Sequence, residues 1–264
     1  MLPRQSSLLK ASCQMSLKSV VFFASAAAGH AIRSRTFSCG TPSPTEEQRQ
    51  LASQFAIQEQ LSREAGLSTQ AALSIDVWLH TISASEGGLV SESDLQTQFD
   101  VLRDTFSPYS IELRYAGSTT TVNSGWANDA NGQEMDMKKS LRRGDYRTLN
   151  FYILDALTDA SGYCYLPTEA PEGSDAFYID GCSLTRDAVP GGAYGQGKIA
   201  THEAGHWFGL WHTFDGDSCT GEGDQVDDTP AQSGPSGGCP TGRDSCPDLP
   251  GVDPIHNYMD YSVE

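Results

Sequence analysis

Apolar residues recur along this chain with two periods, and the switch between them lays out its elements. From Glu46 to Ala65, Leu51, Phe55, Ile57 and Leu61 fall at near-helical spacing among Gln and Glu, which predicts one amphipathic helix. Leu73-Ser74-Ile75-Asp76-Val77-Trp78-Leu79 alternates with period two and predicts the first strand of a sheet. Ser91 to Phe106 returns to helical spacing: Leu95, Phe99, Leu102 and Phe106 share a face, and Ser91 or Ser93 can cap its start. Ile111 to Tyr115 reads as a second strand, Gln133 to Leu141 as a second sheet-packing helix, and Leu149 to Leu154 as a further strand. Strands and helices alternating as far as Leu154 predict an α/β layer. Past His212 the pattern gives way to Gly, Asp, Ser and Pro, a stretch expected to be held by cysteines and metal. No internal repeat is visible.

Composition and charge alter this picture at the two ends. With 264 residues, 38% of them hydrophobic, the chain is ordinary soluble globular material: one substantial domain plus processing segments, or two small domains. A formal charge of -17 argues against a nucleic-acid partner, because a phosphate backbone needs a basic surface. The acidity is uneven. Residues 214 to 260 hold ten Asp or Glu against the single Arg243, an excess that either repels itself or neutralises a bound cation. The first 45 residues hold neither Asp nor Glu. There Lys18 precedes Val20-Val21-Phe22-Phe23-Ala24 and then small residues from Ser25 to Gly29, the order of a secretory signal peptide ending near residue 31. The apolar run is too short for a permanent membrane anchor. Mitochondrial import suits the same acid-free composition, but the cysteines favour an oxidising, extracellular destination.

The chemistry is concentrated in Thr201-His202-Glu203-Ala204-Gly205-His206-Trp207-Phe208-Gly209-Leu210-Trp211-His212. On a helix, His202 and His206 lie four apart and project from one face, so both imidazoles can reach one Zn²⁺ at about 2.0–2.1 Å. Glu203 sits beside the first ligand without needing to bind the ion. Gly209 tolerates positive φ, so the helix can stop there and the chain can swing back to bring His212 as a third nitrogen. Three protein ligands leave a fourth position for water, the layout of a catalytic rather than a closed structural site. At the residue frequencies of this chain, the full pattern would arise by chance on the order of once in 10⁵ chains of this length. A gluzincin shares the first part of the motif but takes a distant Glu as third ligand, which Gly209 and His212 make unnecessary. Asn257-Tyr258-Met259-Asp260-Tyr261 supplies a Met-containing turn downstream, and the two together define the metzincins. Trp207, Phe208 and Trp211 read as packing residues, and His80 and His256 as structural histidines.

Over roughly residues 70 to 264 the chain resembles the pappalysin family, and within it the fungal extracellular metalloproteinases. The resemblance rests on Trp126-Ala127-Asn128-Asp129, Thr148-Leu149-Asn150, Asp180-Gly181-Cys182, the zinc helix running into His212-Thr213-Phe214, Asp224-Gln225-Val226-Asp227-Asp228-Thr229-Pro230, and Asn257 to Tyr261. It implies an α+β, metzincin-like fold: a twisted mixed β-sheet with two packing helices, a zinc-binding helix and an irregular, disulfide-bonded C-terminal subdomain. It also implies a secreted zinc endopeptidase acting on proteins or peptides, with His202, His206 and His212 as ligands, Glu203 as general base, Met259 as the turn Met and Tyr261 near the metal. The organisation that follows is a signal peptide over 1–31, a pro-segment over 32–69 and a catalytic domain over 70–264. A further cysteine and a C-terminal helix follow the Met turn in the family, so a chain ending at Glu264 reads as shortened. An inactive, zinc-binding secreted protein with an interaction role is therefore the alternative, and a zinc hydrolase acting on a non-peptide bond is another.

Seven cysteines are present, and Cys13 would leave with the signal peptide. The other six allow fifteen connectivities. The resemblance favours Cys164–Cys182 and Cys219–Cys246. Cys39, in Phe37-Ser38-Cys39-Gly40-Thr41-Pro42, resembles the latency cysteine of pappalysin-type zymogens, whose thiolate would fill the fourth metal position; a structural disulfide to Cys239 is the alternative. Asp215, Asp217, Asp224, Asp227, Asp228 and Thr229 lie in a Gly-rich, oxygen-rich loop suited to Ca²⁺, with Asp224, Asp227 and Thr229 the expected contributors.

Overall fold

The computed structural model of the chain describes residues 37–66 and 73–262. The expected signal peptide over 1–31 lies outside these residues, as does the expected boundary at 69 and 70. Helix α1 (Glu46–Glu64) comes first, followed by β1 (Leu73–Ser83), α2 (Glu92–Phe106), β2 (Ile111–Val122), α3 (Glu134–Leu141) and β3 (Leu149–Leu154). Strand β4 (Gly162–Cys164), the short helix α4 (Asp175–Ile179), β5 (Cys182–Thr185) and α5 (Lys198–Trp207) complete the regular elements. The apolar periodicity had located the longer ones. Ser91 caps α2 as expected, its hydroxyl accepting from Asp94 N at 3.2 Å.

The five strands form one sheet in the order β2-β1-β3-β5-β4. β1 pairs parallel with β2 and β3, and β3 pairs parallel with β5; only the edge strand β4 runs antiparallel, against β5. β2 runs past its predicted end at Tyr115 because pairing with β1 continues through Thr119, Thr120 and Thr121, which are polar but β-branched. β4, α4 and β5 were not foreseen, since three to five residues are too few to display a period.

Both faces of the sheet are covered, and the strand alternation decides which residue goes where. Ile75, Val77 and Leu79 of β1 and Leu149, Phe151 and Ile153 of β3 face a core shared with Leu95, Phe99, Leu102 and Phe106 of α2 and Ile199, Ala200 and Ala204 of α5. Ile82, Tyr152 and Leu154 point the other way, onto Met137 and Leu141 of α3. β3 is buried along its whole length. α1 behaves differently from the core helices: Phe55, Ile57 and Leu61 are 54–60% exposed, so its apolar face is largely unpacked. Its anchor is polar. The Arg49 guanidinium pairs with the buried Asp215 carboxylate at 2.7 Å and lies over the Trp211 ring.

Among the described residues no helix or strand follows Trp207. Buried carboxylates help to organise this region. Asp260 Oδ1 accepts from Gln232 Nε2, Ser236 N and Tyr261 N, and Asp253 accepts from Arg243 and from Ser245. The Cys219–Cys246 disulfide closes the same region. The cysteines expected to hold it therefore share that task with charge-assisted hydrogen bonds.

Candidate metal centre

α5 delivers the first two histidines, and its C-terminus delivers the third. Gly209 N donates to His206 O at 2.8 Å and Leu210 N to Gly205 O at 2.9 Å, the paired bonds of a Schellman cap. Gly209 sits at φ 91°, the left-handed conformation such a cap requires. The turn reverses the chain and brings His212 back to the helix. It also fixes the second imidazole, because Leu210 O accepts from His206 Nδ1 at 2.8 Å. His202 Nδ1 is held in the same way by Tyr258 O at 2.5 Å. With Nδ1 protonated and donating, both Nε2 atoms present lone pairs. His206 Nε2 nevertheless lies 3.1 Å from His202 Nε2 and 3.1 Å from His212 Nε2. Lone pairs converging that closely need a cation between them.

Zn²⁺ fits this donor set. Tetrahedral Zn–N bonds of 2.0–2.1 Å would separate nitrogens by about 3.3 Å, and a Zn–S bond of 2.3 Å would put sulfur about 3.5 Å from each. Cys39 Sγ is 3.5 Å from His206 Nε2, and the four ligand atoms of Cys39, His202, His206 and His212 lie within 4.8 Å of one another. Burial pulls the His202 imidazole down to about 4, and burial with the neighbouring rings holds His206 and His212 well below the ordinary imidazole range, so all three are neutral. Met259, fully buried, lies under the helix at Gly205, where an added Cβ would come within 2.4 Å of its sulfur.

Glu203 is fully buried, and burial pushes its carboxyl up to about 8. Its Oε2 receives Thr41 Oγ1 at 3.3 Å and Cys39 Sγ at 3.5 Å, while Oε1 has no hydrogen-bond partner. The segment carrying Cys39 and Thr41 lies along β4, in a parallel bridge between Cys39 and Gly162. Gly40 N donates to Gly162 O at 2.8 Å; Thr41 Oγ1 accepts from Cys164 N at 2.9 Å and shares its one proton between Cys164 O and Glu203 Oε2. Tyr261 OH donates to Cys39 O at 3.2 Å, and its ring packs edge-on against His212. The Cys39 thiol is free, which excludes the disulfide to Cys239. Its pKa is raised by burial and then by Glu203.

The structure thus brings His202, His206, His212, Glu203, Tyr261, Met259 and Cys39 to one place. Both expected disulfides form, with Cys164–Cys182 joining β4 to β5. His80 lies elsewhere, between Thr119 and Asn150. In the acidic loop Asp224 is buried while Asp227 is exposed; Asp224 Oδ2 and Thr229 Oγ1 are buried without a well-formed hydrogen bond. Sequence reasoning missed Thr41 and Gly162. The only available signal for Thr41 was its place two residues after Cys39, and nothing local marked Gly162.

The profile of the family described as Pregnancy-associated plasma protein-A, of the M43 peptidases, matches residues 131–264. An extracellular metalloprotease of Podospora anserina is 48% identical over 88% of this chain and 84% of its own length. Extracellular metalloprotease 1 of Coccidioides posadasii is 49% identical over 74% of this chain and 71% of its own. Among solved structures, a mutant form of Tannerella forsythia promirolysin is similar at a TM-score of 0.61. It is 23% identical over 87% of this chain and 88% of that one, a likeness of fold alone.

Proposed function

The chain belongs to the pappalysin family of M43 metallopeptidases, and we propose that it is a secreted zinc endopeptidase made as a latent precursor. The observation that carries the zinc assignment is the convergence of three neutral imidazoles, those of His202 and His206 oriented by backbone carbonyls, beside an unliganded carboxylate. Extracellular relatives and the disulfides Cys164–Cys182 and Cys219–Cys246 favour secretion, and among the described residues no helix is long and apolar enough to cross a membrane. Residues 1–31 would serve as signal peptide, 32–69 as pro-segment and 70–264 as catalytic domain.

His202, His206 and His212 would hold the ion, which when bound supplies a Lewis acid that acidifies the attacking water and polarises the scissile carbonyl. Glu203 accepts the proton of the attacking water through the carboxylate now bonded to Thr41, then delivers it to the departing amine. Tyr261 OH, which donates to Cys39 O in the precursor, becomes free once the leading segment leaves to donate to the carbonyl oxygen as negative charge develops on it. In the precursor the Cys39 sulfur would join the three histidines in holding the ion while Thr41 occupies the base, which would keep water and substrate out. Asp224, Asp227 and Thr229 would contribute to a calcium site that steadies the acidic loop.

Digestion of casein by the processed enzyme, abolished by a chelator and restored by zinc, tests this reading, with Glu203→Gln alongside. The variant should retain one zinc per chain and lose activity by orders of magnitude. Zinc binding without any cleavage by wild type would favour the interaction protein instead, and full activity in the variant would remove Glu203 from the chemistry.

A further inference from the structure

Gly162 lies on β4, directly against the carboxylate of Glu203. An added Cβ at this position would sit 2.8 Å from Glu203 Oε1, 2.9 Å from Glu203 Cγ and 2.9 Å from Leu184 Cδ2. Heavy atoms do not rest at such separations, so something must move. The glycine is not needed for its backbone, since Gly162 is absent from the positions of positive φ. Nor can the strand easily retreat. Gly162 is paired to Leu184 of β5, and two residues on the Cys164–Cys182 disulfide ties β4 to β5. Behind Glu203 the helix is equally fixed: its backbone O lies 3.5 Å from Cys182 Sγ, and α5 packs on both strands. The parts left to yield are the side chains of Leu184 and of Glu203, whose Oε1 has no hydrogen bond and whose Oε2 is held only by Thr41 and Cys39 of the leading segment.

We propose that Gly162 is a positioning residue for Glu203: the missing side chain on the edge strand makes the slot that fixes where the carboxylate stands relative to His202 and His206. This rests on the reading of Glu203 as the proton acceptor. A strand residue with any Cβ would turn the carboxylate out of that slot without touching the three imidazoles. Misplacement of a reacting group by about 1 Å can cost about 10²-fold in rate.

Gly162→Ala is the test. In the processed enzyme it should keep one zinc per chain, lower kcat about 10- to 100-fold and leave KM within about threefold. A readout independent of turnover comes from a double-mutant cycle in the zinc-loaded protein. Gly162→Ala should lower the thermal midpoint when Glu203 is present and lower it far less in a Glu203→Ala background, since residues in contact are coupled. Gly162→Ala with Leu184→Ala relieves the crowding against Leu184 Cδ2 and should stay slow. Unchanged kcat in Gly162→Ala, equal thermal costs in the two backgrounds, or full recovery on trimming Leu184 would each overturn the proposal. Its failure is separable from that of the mechanism. A dead Glu203→Gln beside a fully active Gly162→Ala sinks only the slot, whereas an active Glu203→Gln sinks the base itself.

Discussion

Raising the pH from 4 to 8 without calcium is expected to destabilise this protein through one buried carboxyl, Asp224. That residue is 8% exposed. Its Oδ1 accepts from Val226 N at 3.0 Å, its Oδ2 has no well-formed hydrogen bond, and burial pushes its pKa from an ordinary 3.8 up to about 7. The folded pKa is thus raised above the unfolded one. Between the two values the folded chain binds more protons, so stability falls as the pH rises, beginning near 4 and complete above 7. At 1.36 kcal/mol per pH decade the rise corresponds to about 4 kcal/mol. Each kcal/mol moves the midpoint of a chain this long by about 2–4 °C, giving a loss of about 8–16 °C across the window. A cation held by Asp224 and Thr229, as proposed, would remove the penalty, so stabilisation by calcium should be near zero at pH 4 and greatest above pH 7. Thermal melts from pH 4 to 8, with calcium added or omitted and zinc held constant, measure both effects. Asp224→Asn is the internal control. It isolates this carboxyl from the others that titrate in the range, and it should be steadier than wild type at pH 8 without calcium and indifferent to calcium. Parallel wild-type and Asp224→Asn curves without calcium would refute the buried-carboxyl argument. A calcium gain that survives the substitution would place the cation elsewhere.

Cys39→Ser should release latency: the unprocessed variant is expected to hydrolyse casein without a lag and at least about tenfold faster than unprocessed wild type, because an alcohol is a far poorer zinc ligand than a thiolate. Equal latency in the two would assign inhibition to the backbone and Thr41 contacts alone. Gly205→Ala gains up to about 1 kcal/mol of helix propensity but drives a Cβ to within 2.4 Å of the Met259 sulfur. Overpacking of about 1–3 kcal/mol should win, lowering the thermal midpoint, and Met259→Ala in the same chain should recover part of that loss. A higher midpoint in Gly205→Ala alone would mean the contact is loose.

What the sequence disclosed about the centre was what covalent spacing and single-residue conformational limits determine. Four residues on a helix put His202 above His206, and a glycine able to take positive φ turned the chain back to His212. The contacts around those ligands belong to residues distant in sequence, and so stayed hidden. Thr41 reaches Glu203 across 162 positions, and Gly162 is distinguished only by what stands opposite it. The same limit explains the fold. Long periodic segments such as α2 and β3 were visible, while β4 and β5 exist because they pair. α1 shows the converse limit: its apolar residues gave the helix, Glu46–Glu64, yet spacing alone cannot say whether a core will cover them.

On the proposed reading, latency and catalysis draw on the same atoms. The leading segment is held by Gly162 O through Gly40 N, by Glu203 Oε2 through Thr41, by the Tyr261 hydroxyl through Cys39 O, and by the imidazole cluster through the Cys39 sulfur. These groups must be vacant and correctly oriented for peptide hydrolysis, so the precursor stores the site assembled. Away from them the segment holds on through Ser38 O, which accepts from Ser161 N at 2.7 Å, through Thr41 on the Cys164 backbone and through Arg49 on Asp215, the exposed Phe55, Ile57 and Leu61 adding little. A modest set of contacts suffices while the chain is continuous, because a tethered ligand acts at an effective concentration on the order of millimolar. Severing the chain between α1 and β1 makes rebinding bimolecular, and the same contacts then become too weak to compete with substrate. Activation by a single cut follows without any rearrangement of the metal ligands.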